Sequence, residues 1–518
     1  MLAKTFGSAV HGVDAQTITI EVNSGGNVMQ GKSNYAMVGL PDKAVSEGFF
    51  RIEAACKNVK MELPHVRFVV NLAPADIRKE GSAYDLPVAI GLLASVGMLP
   101  KQGLEDFVIM GELALDGTVR PIRGALPIAI QARKEKFKGL LVPVENAREA
   151  AIVNDLDVYA IGHLSEAIGF LSGQLILQPV VVDTRAEFAN QRNMYSVDFA
   201  DVRGQENIKR ALEIAAAGGH NAILIGPPGA GKTMLARRMP TILPPLSLNE
   251  ALETTKIHSV AGILPVNTSL VAARPFRSPH HTISDAGLVG GGSNPGPGEI
   301  SLAHHGVLFL DELPEFKRTV LEVMRQPMEE RRVTISRARV SVDFPASFML
   351  IASMNPCPCG YHGHPERSCA CGEQVVKRYL NKISGPLMDR IDLHVEVTPV
   401  SYEELANYAP SKETSADIAL RVVKAQEIQI KRFEALPDVH NNAQMPGKMI
   451  REVCQLTPEG IILLKTAMER FQLSARAYDR ILKVARTIAD LANSPDITTE
   501  HISEAVQYRS LDRENWAG

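Results

Sequence analysis

The chain has 518 residues, 45% of them hydrophobic and 22% charged, with a net charge of −3. Domains usually hold about 100–200 residues, so two to four cores are expected. The near-neutral balance excludes a uniformly basic nucleic-acid binder, and any contact with DNA or RNA must come from a local basic patch. No apolar run reaches the roughly 18 residues of a membrane-spanning helix. The opening residues, MLAKTFGSAVHGVDAQ, lack the layout of a signal peptide. The expectation is a cytoplasmic protein without a membrane partner. Six cysteines in this length do not make a disulfide scaffold.

Residues 1–175 read as a mixed α/β domain, with strand-like ITIEV (18–22), VRFVVNLA (66–73) and FVIMGEL (107–113) and a helical apolar pattern over 86–97. Residues 176–198 are polar and irregular, as a linker would be. From 199 to 397 short apolar strands alternate with helices, which is the pattern of a parallel sheet. From 398 to 518 the pattern is helical, clearest over 416–434, 457–471, 476–493 and 499–509.

The second block carries the strongest chemistry. The strand-like NAILI (221–225) runs into GPPGAGKT, that is Gly226, Pro227, Pro228, Gly229, Ala230, Gly231, Lys232 and Thr233, and then into a helical MLARRMP. Glycines let backbone N–H groups turn towards phosphates, and the following helix presents its positive end to the same anions. Strand–loop–helix is the context such a loop needs. Lys232 would reach the β- and γ-phosphates of ATP, and Thr233 would ligate Mg²⁺. Downstream, GVLFLDE (306–312) puts Asp311 and Glu312 at the carboxyl end of a buried strand, where open parallel sheets bind ligands. Asp311 would hold the Mg²⁺ shell, and Glu312 would orient or deprotonate the attacking water. A further apolar strand, FMLIASMNP (348–356), ends in Asn355, whose amide could help place that water.

GQENIKRAL, GPPGAGKT, GVLFLDELPEF, ASMNPCPCG, LMDRIDL and SARAYDRIL, in this order, resemble the magnesium-chelatase-like AAA+ ATPases, and the chain from about residue 4 to 510 is similar to their ComM/YifB branch. The fold implied is α/β: a P-loop AAA+ parallel-sheet core with a C-terminal helical lid. The resemblance implies a homo-hexameric ring with each nucleotide between two subunits. It places Arg390, in GPLMDRIDL, at the arginine-finger position and Arg476, in SARAYDR, at the sensor position of the lid, with Arg480 a near competitor. It places Gln205 beside the adenine. A guanidinium fork suits the charge on a γ-phosphate.

Between the acidic strand and the Asn355 strand lies EERRVTISRARVSVDFPASF (329–348). VTIS and VSVDF read as the strands of a hairpin with Arg337 and Arg339 at its tip and Arg331 and Arg332 near its base. The resemblance puts such a hairpin in the central pore, where it would grip DNA phosphates whatever their sequence. The Gly-rich 284–299, SDAGLVGGGSNPGPGE, reads as too flexible for a core element and resembles the inserted pore loops. The neighbouring His280, His281, His304 and His305 come in adjacent pairs rather than at i, i+4, which is poor spacing for metal.

Four cysteines crowd together as Cys357, Cys359, Cys369 and Cys371, two C-x-C pairs nine residues apart. Four thiolates on a Gly/Pro-containing loop suit a closed, structural Zn²⁺ site, although the spacing departs from the usual C-x₂₋₄-C. His362 and His364 could replace one or two thiols, and four reduced cysteines on a surface loop are the plainer alternative.

IRKEGSAYDLPVAIGLLA (77–94) and GELALDGTVRPIRGALPIAIQA (111–132) resemble the proteolytic domain of Lon-type proteases, so the N-terminal domain is expected to be a Lon-like α+β domain. Matched around Gly81 and Gly124, the nucleophile position falls on Ala83 and the lysine position on Leu126. Ser82 is one position off, and a nucleophile without its base is weak. A domain with the pattern but not the dyad reads as a scaffold. The leading functional expectation is an ATP-dependent DNA-translocating motor, which the family resemblance narrows to branch migration serving natural transformation. A protein-remodelling motor and a metal-chelatase motor subunit are the alternatives.

Overall fold

The computed structural model describes residues 1–27, 35–191, 195–265, 268–292, 295–337, 340–364, 366–399, 413–436 and 439–509. The chain forms two compact units, Met1–Gln191 with Leu248–Ala272, and Arg192–Ser247 with Ala273–Gly518. Sequence reading keeps 199–397 in one block. The structure instead groups 248–272 with the first unit.

The first unit is built on a seven-stranded sheet. Its spatial order is Tyr35–Val38, Val66–Ala73, Asp14–Asn27, Leu2–His11, Phe107–Ile109, Gly139–Pro143 and Asp157–Ile161. The three long strands pair antiparallel, and the remaining pairings are parallel. Period-two alternation buries Phe68, Val70 and Leu72 on one face, as a half-covered sheet requires. The helix Asp85–Ser95 is buried along its whole length, which is why its sequence shows no polar stripe. Gly91 lets it approach the sheet: a Cβ there would lie 2.7 Å from Val22 Cγ2.

Leu126, where a lysine base would stand, is fully buried. Its N–H donates to Glu149 Oε1 at 2.9 Å, the Ser259 hydroxyl bonds the same carboxylate, and the Gly124 N–H donates to the Ser259 carbonyl at 3.1 Å. The helix Leu248–Ala261 is thus fastened at the Leu126 loop. Burial pushes the Glu149 carboxyl up, and its hydrogen bonds offset part of that rise. Ser82 bonds Glu112 rather than a lysine. The segment 176–198, expected to be irregular, contains the helix Thr184–Gln191. Asp183 Oδ1 caps it by accepting from the Arg185 and Ala186 N–H groups at 3.1 and 3.0 Å. Glu187, within that helix, pairs with Arg148 and accepts from Ser269.

The second unit centres on a five-stranded, wholly parallel sheet in the order Phe276–Arg277, Val307–Leu310, Met349–Met354, Ala222–Ile225, Leu393–Glu396. The middle strands are buried on both faces, so they read as unbroken apolar runs. The helices Ser415–Phe433, Pro458–Phe471, Ala475–Leu491 and Thr499–Gln507 follow. The first begins with a capping box in which Thr414 Oγ1 accepts from the Asp417 N–H and Asp417 accepts from the Thr414 N–H. A buried polar chain ties the sheet to these helices. His220 Nδ1 lies 3.0 Å from Asp392 Oδ2, its Nε2 lies 2.8 Å from Thr487 Oγ1, and Arg480 closes on the other Asp392 oxygen.

Arg332–Arg337 and Val340–Pro345 form the expected antiparallel hairpin. Val333, Ile335, Val342 and Phe344 are its buried face, and Thr334 donates to Asp343 at 2.6 Å on the other. Arg339 lies outside the described residues, as does the side chain of Arg337. The Gly-rich 284–299 has more local structure than expected. It includes the short helix Asp285–Val289, which buries Leu288, and a close pairing of Gly290 with Pro297. A Cβ on Gly290 would meet the Gly296 carbonyl oxygen at 2.5 Å, so the glycine is needed there.

Candidate nucleotide site

Three adjacent parallel strands end at one edge of the second sheet, and each delivers a polar residue there. Ile225 leads into Gly226, Leu310 into Asp311, and Met354 into Asn355. The phosphate loop is shaped by close approach. A Cβ on Gly226 would fall 2.2 Å from the Val397 carbonyl oxygen. Gly229 and Gly231 have φ of +79° and +84°, in the left-handed region that favours glycine. Nothing lies within 4 Å of where a Cβ on Gly229 would point, so the loop faces open space, as a phosphate cradle must. Pro227, Pro228 and Ala230 complete the turn, with Ala230 in the core. Lys232 and Thr233 open the helix Lys232–Ile242.

Lys232 Nζ donates to the Gly226 and Pro227 carbonyls at 2.7 and 2.9 Å and to Asn355 Oδ1 at 3.1 Å. Burial pushes its ammonium down, while Asp311 and Glu312 pull it back up. Thr233 Oγ1 donates to Asp311 Oδ2 at 2.7 Å. The two groups expected to flank Mg²⁺ are therefore already in contact. Ser353, on the neighbouring strand, donates to the other Asp311 oxygen. Glu312 has φ +53°, a strained conformation for a non-glycine residue, and its N–H is directed at Asp311 Oδ1 and Ser353 Oγ. Its carboxylate is exposed and lies 3.8 Å from His281 Nδ1.

Sequence reasoning missed Ser353 and weighed His281 only as a metal ligand, because both meet the acidic pair across strands and loops. Strand order gives a signal for Ser353, since it precedes Asn355 by two and so shares its side of the sheet edge. Ser353→Ala is expected to raise the Mg²⁺ concentration needed for half-maximal ATP hydrolysis several-fold while leaving the fold intact. A metal titration of the ATPase rate checks this.

Gln205, at φ +62°, begins the helix Glu206–Gly218. Its Nε2 donates to the Thr398 carbonyl at 2.8 Å, and its Oε1 is buried without a partner among the described residues. An orphaned buried acceptor fits a ligand that carries an amino group. The open phosphate loop, the Thr233–Asp311 pair and this acceptor together fit a Mg²⁺-bound adenine nucleotide.

The arginines fall elsewhere in the second unit. Arg390 is mostly buried, pairs with Glu329 and donates to the Pro386 carbonyl at 2.5 Å, with Nε unpartnered among the described residues. Arg476 is exposed and reaches Asp389 Oδ2 at 3.3 Å. Both line one cleft with Arg480, Lys483, Asp389 and Glu329. Burial pushes Lys483 down to about 8. No described hydrogen bond or ion pair joins this cleft to Lys232 or Glu312. Arg331 is not a free surface cation: burial pushes its guanidinium down to about 10, and it faces Ser347 Oγ at 3.3 Å. Arg332 is exposed beside Glu330.

The Cys357, Cys359, Cys369 and Cys371 thiols converge on the loop after the Asn355 strand, with all four Sγ atoms within 4.8 Å of one another. His362 and His364 are not in the group. His364 Nδ1 instead accepts from the Glu366 and Arg367 N–H groups. Among the described residues no helix is long and apolar enough to cross a membrane.

Comparisons with known proteins place the chain in one family. Residues 198–405 match the model of the magnesium chelatase subunit ChlI, 22–146 match a further ChlI model, and 412–509 match that of the ChlI C-terminal region. The chain is 43% identical over 513 residues to the competence protein ComM of Haemophilus influenzae, covering 99% of this chain and 98% of that one. It is 43% identical over 507 residues to YifB of Salmonella typhimurium, covering 98% and 96%. A weaker match, 33% over 157 residues, joins 28% of the chain to 27% of Lon protease 2 of Bacillus subtilis. With matches along nearly its full length and the parallel sheet that carries the phosphate loop, the chain belongs to the ComM/YifB-type magnesium-chelatase-like family of AAA+ proteins.

Proposed function

We propose that the chain is an ATP-hydrolysing, hexameric motor that moves along DNA and drives branch migration during uptake and integration of DNA. The observation that carries the ATPase part is the convergence of Lys232, Thr233, Asp311, Glu312 and Asn355 on one sheet edge. Mg²⁺-bound ATP brings the γ-phosphoryl group, and transfer to water is mostly a matter of positioning and charge. Lys232 leaves its internal acceptors and pairs with the β- and γ-phosphate oxygens. Thr233 and Asp311, which bond each other at 2.7 Å, would hold the Mg²⁺. Glu312 accepts the proton of the attacking water, and Asn355 orients that water. Arg390 and Arg476, which share one cleft, act together on the nucleotide of a neighbouring subunit.

The DNA part rests on the basic hairpin 332–345 and on the name of the relative ComM, a competence protein. Arg337 and Arg339 would meet backbone phosphates, with Arg332 contributing at the base. The test is the steady-state ATPase rate with and without single-stranded and branched DNA. DNA is expected to stimulate the wild type several-fold. An Arg337→Ala, Arg339→Ala double variant should keep the basal rate and lose the stimulation, and the wild-type stimulation should weaken steeply with added salt. An ATP-competent ring indifferent to DNA would sink the DNA reading and turn attention to protein substrates.

A further inference from the structure

The loop between the Asn355 strand and the helix Glu373–Leu380 brings together four sulfurs that the ATPase chemistry does not use. Cys357 Sγ is 3.3 Å from Cys359 Sγ and 3.7 Å from Cys369 Sγ, and the last two are 3.5 Å apart. A tetrahedron of thiolates at the usual Zn–S length of about 2.3 Å has edges of about 3.8 Å. The observed spacings lie close to those edges. The Cys371 N–H is directed at Cys369 Sγ at 3.4 Å, the kind of backbone donor that supports a metal-bound thiolate. Cys357 is fully buried, and the other three are partly exposed, so as free thiols they would be open to oxidation. Between the two C-x-C pairs the loop folds on itself: Arg367 stacks over the Tyr361 ring and donates to its hydroxyl at 2.9 Å.

A second set of contacts runs from this loop to the phosphate loop. Asn355, whose Oδ1 accepts from Lys232, precedes Cys357 by two residues. Gly360 sits at φ +83° inside the first turn of the cysteine loop, closed by its N–H to the Cys357 carbonyl at 3.0 Å. A Cβ on Gly360 would meet Pro228 Cδ at 2.5 Å. The turn therefore lies flush against the phosphate loop, and only glycine lets it do so.

We propose that Cys357, Cys359, Cys369 and Cys371 hold one structural Zn²⁺, and that the loop it closes braces Pro228 and Asn355 and so fixes the phosphate cradle. The metal assignment rests on the sulfur set alone. The brace rests on the nucleotide reading above.

The experiment is elemental analysis of the full-length protein alongside binding of a fluorescent ATP analogue. The wild type is expected to carry one equivalent of zinc, and Cys369→Ser, Cys371→Ser to lose it and bind the analogue poorly. Gly360→Ala keeps all four thiols, so it should keep the zinc yet bind the analogue roughly tenfold more weakly, because strain and clash fall on the brace. Its circular dichroism should match the wild type. Lys232→Ala should keep the zinc. Zinc far below one equivalent, with all four thiols freely titrated by Ellman's reagent, overturns the metal site. A full equivalent, with wild-type analogue affinity in both the stripped double variant and Gly360→Ala, overturns the brace. Zinc at one equivalent in a wild type that binds no nucleotide overturns the nucleotide reading and the brace with it, and leaves the metal standing.

Discussion

Lys232→Ala is expected to slow ATP hydrolysis by about a hundred- to a thousandfold, the usual loss when one positioned donor to developing charge is removed. In the structure the Lys232 ammonium is held inside the loop by two backbone carbonyls and Asn355 Oδ1, and burial pushes its pKa down. The group is therefore already poorly hydrated. Exchange of neutral acceptors for phosphate oxygens gains far more there than it would at a wet surface. The same residue connects the loop to Asn355, so alanine also frees that amide, to which the proposed mechanism gives the attacking water. Nucleotide binding should fall less than turnover, because the backbone N–H groups of the loop remain. Phosphate release at saturating ATP, paired with analogue binding, separates the two effects. A variant that keeps more than a tenth of the wild-type rate would show that the cation belongs to folding rather than to catalysis.

Asp392→Ala is expected to cost about 3–5 kcal/mol of stability in the second unit, because it strands buried cationic and polar partners. Asp392 is almost wholly buried between His220 Nδ1 and Arg480, and His220 continues to Thr487. Burial alone would raise its carboxyl. The Arg480 charge, followed by the His220 hydrogen bond, outweighs burial and holds the group well below the usual carboxylate range. Its pKa is lower folded than unfolded, so its contribution is complete above about pH 4 and falls away as the pH drops towards the folded value. Chemical denaturation followed by far-ultraviolet circular dichroism, repeated at neutral and acidic pH, checks both the loss and its pH dependence. A wild type and variant that differ by less than about 1 kcal/mol at neutral pH would show the chain to be incidental. Arg390 lies two residues before Asp392, so a milder change such as Asp392→Asn should disturb ATP turnover before it disturbs folding.

Much of the candidate nucleotide site was legible because its residues follow strands that are buried on both faces. Ala222–Ile225, Val307–Leu310 and Met349–Met354 are continuous apolar runs, and Gly226, Asp311 and Asn355 are the first polar or flexible residues after each. The strand Val66–Ala73 and the helices after 415 were legible through their own periodicity. The contacts that cross between elements were not. Ser353 lies inside a run that reads only as core, and it acts on Asp311 because its strand is next in the sheet. His281 meets Glu312 from a loop with no periodic signal. The helix Thr184–Gln191 has little amphipathic pattern, and its cap at Asp183 is a single-residue cue in a polar stretch. Arg331 reads as a surface charge from its neighbours, but the fold partly buries it and turns it towards Ser347.

The membership of 248–272 in the first unit limits how this protein can be divided. The helix Leu248–Ala261 buries Ala251, Thr254, Thr255, Ile257 and Ser259, and its Ser259 bonds Glu149. An expression fragment that begins near residue 192 would carry that helix with its buried face bared to water. One that ends at 191 would leave Glu149 and the Leu126 loop uncovered. Neither cut yields a whole piece, and either fragment is expected to aggregate. A workable split of the first unit has to graft 248–272 onto Met1–Gln191 through a designed linker, and the ATPase piece needs a short bridge from Ser247 to Ala273 in its place.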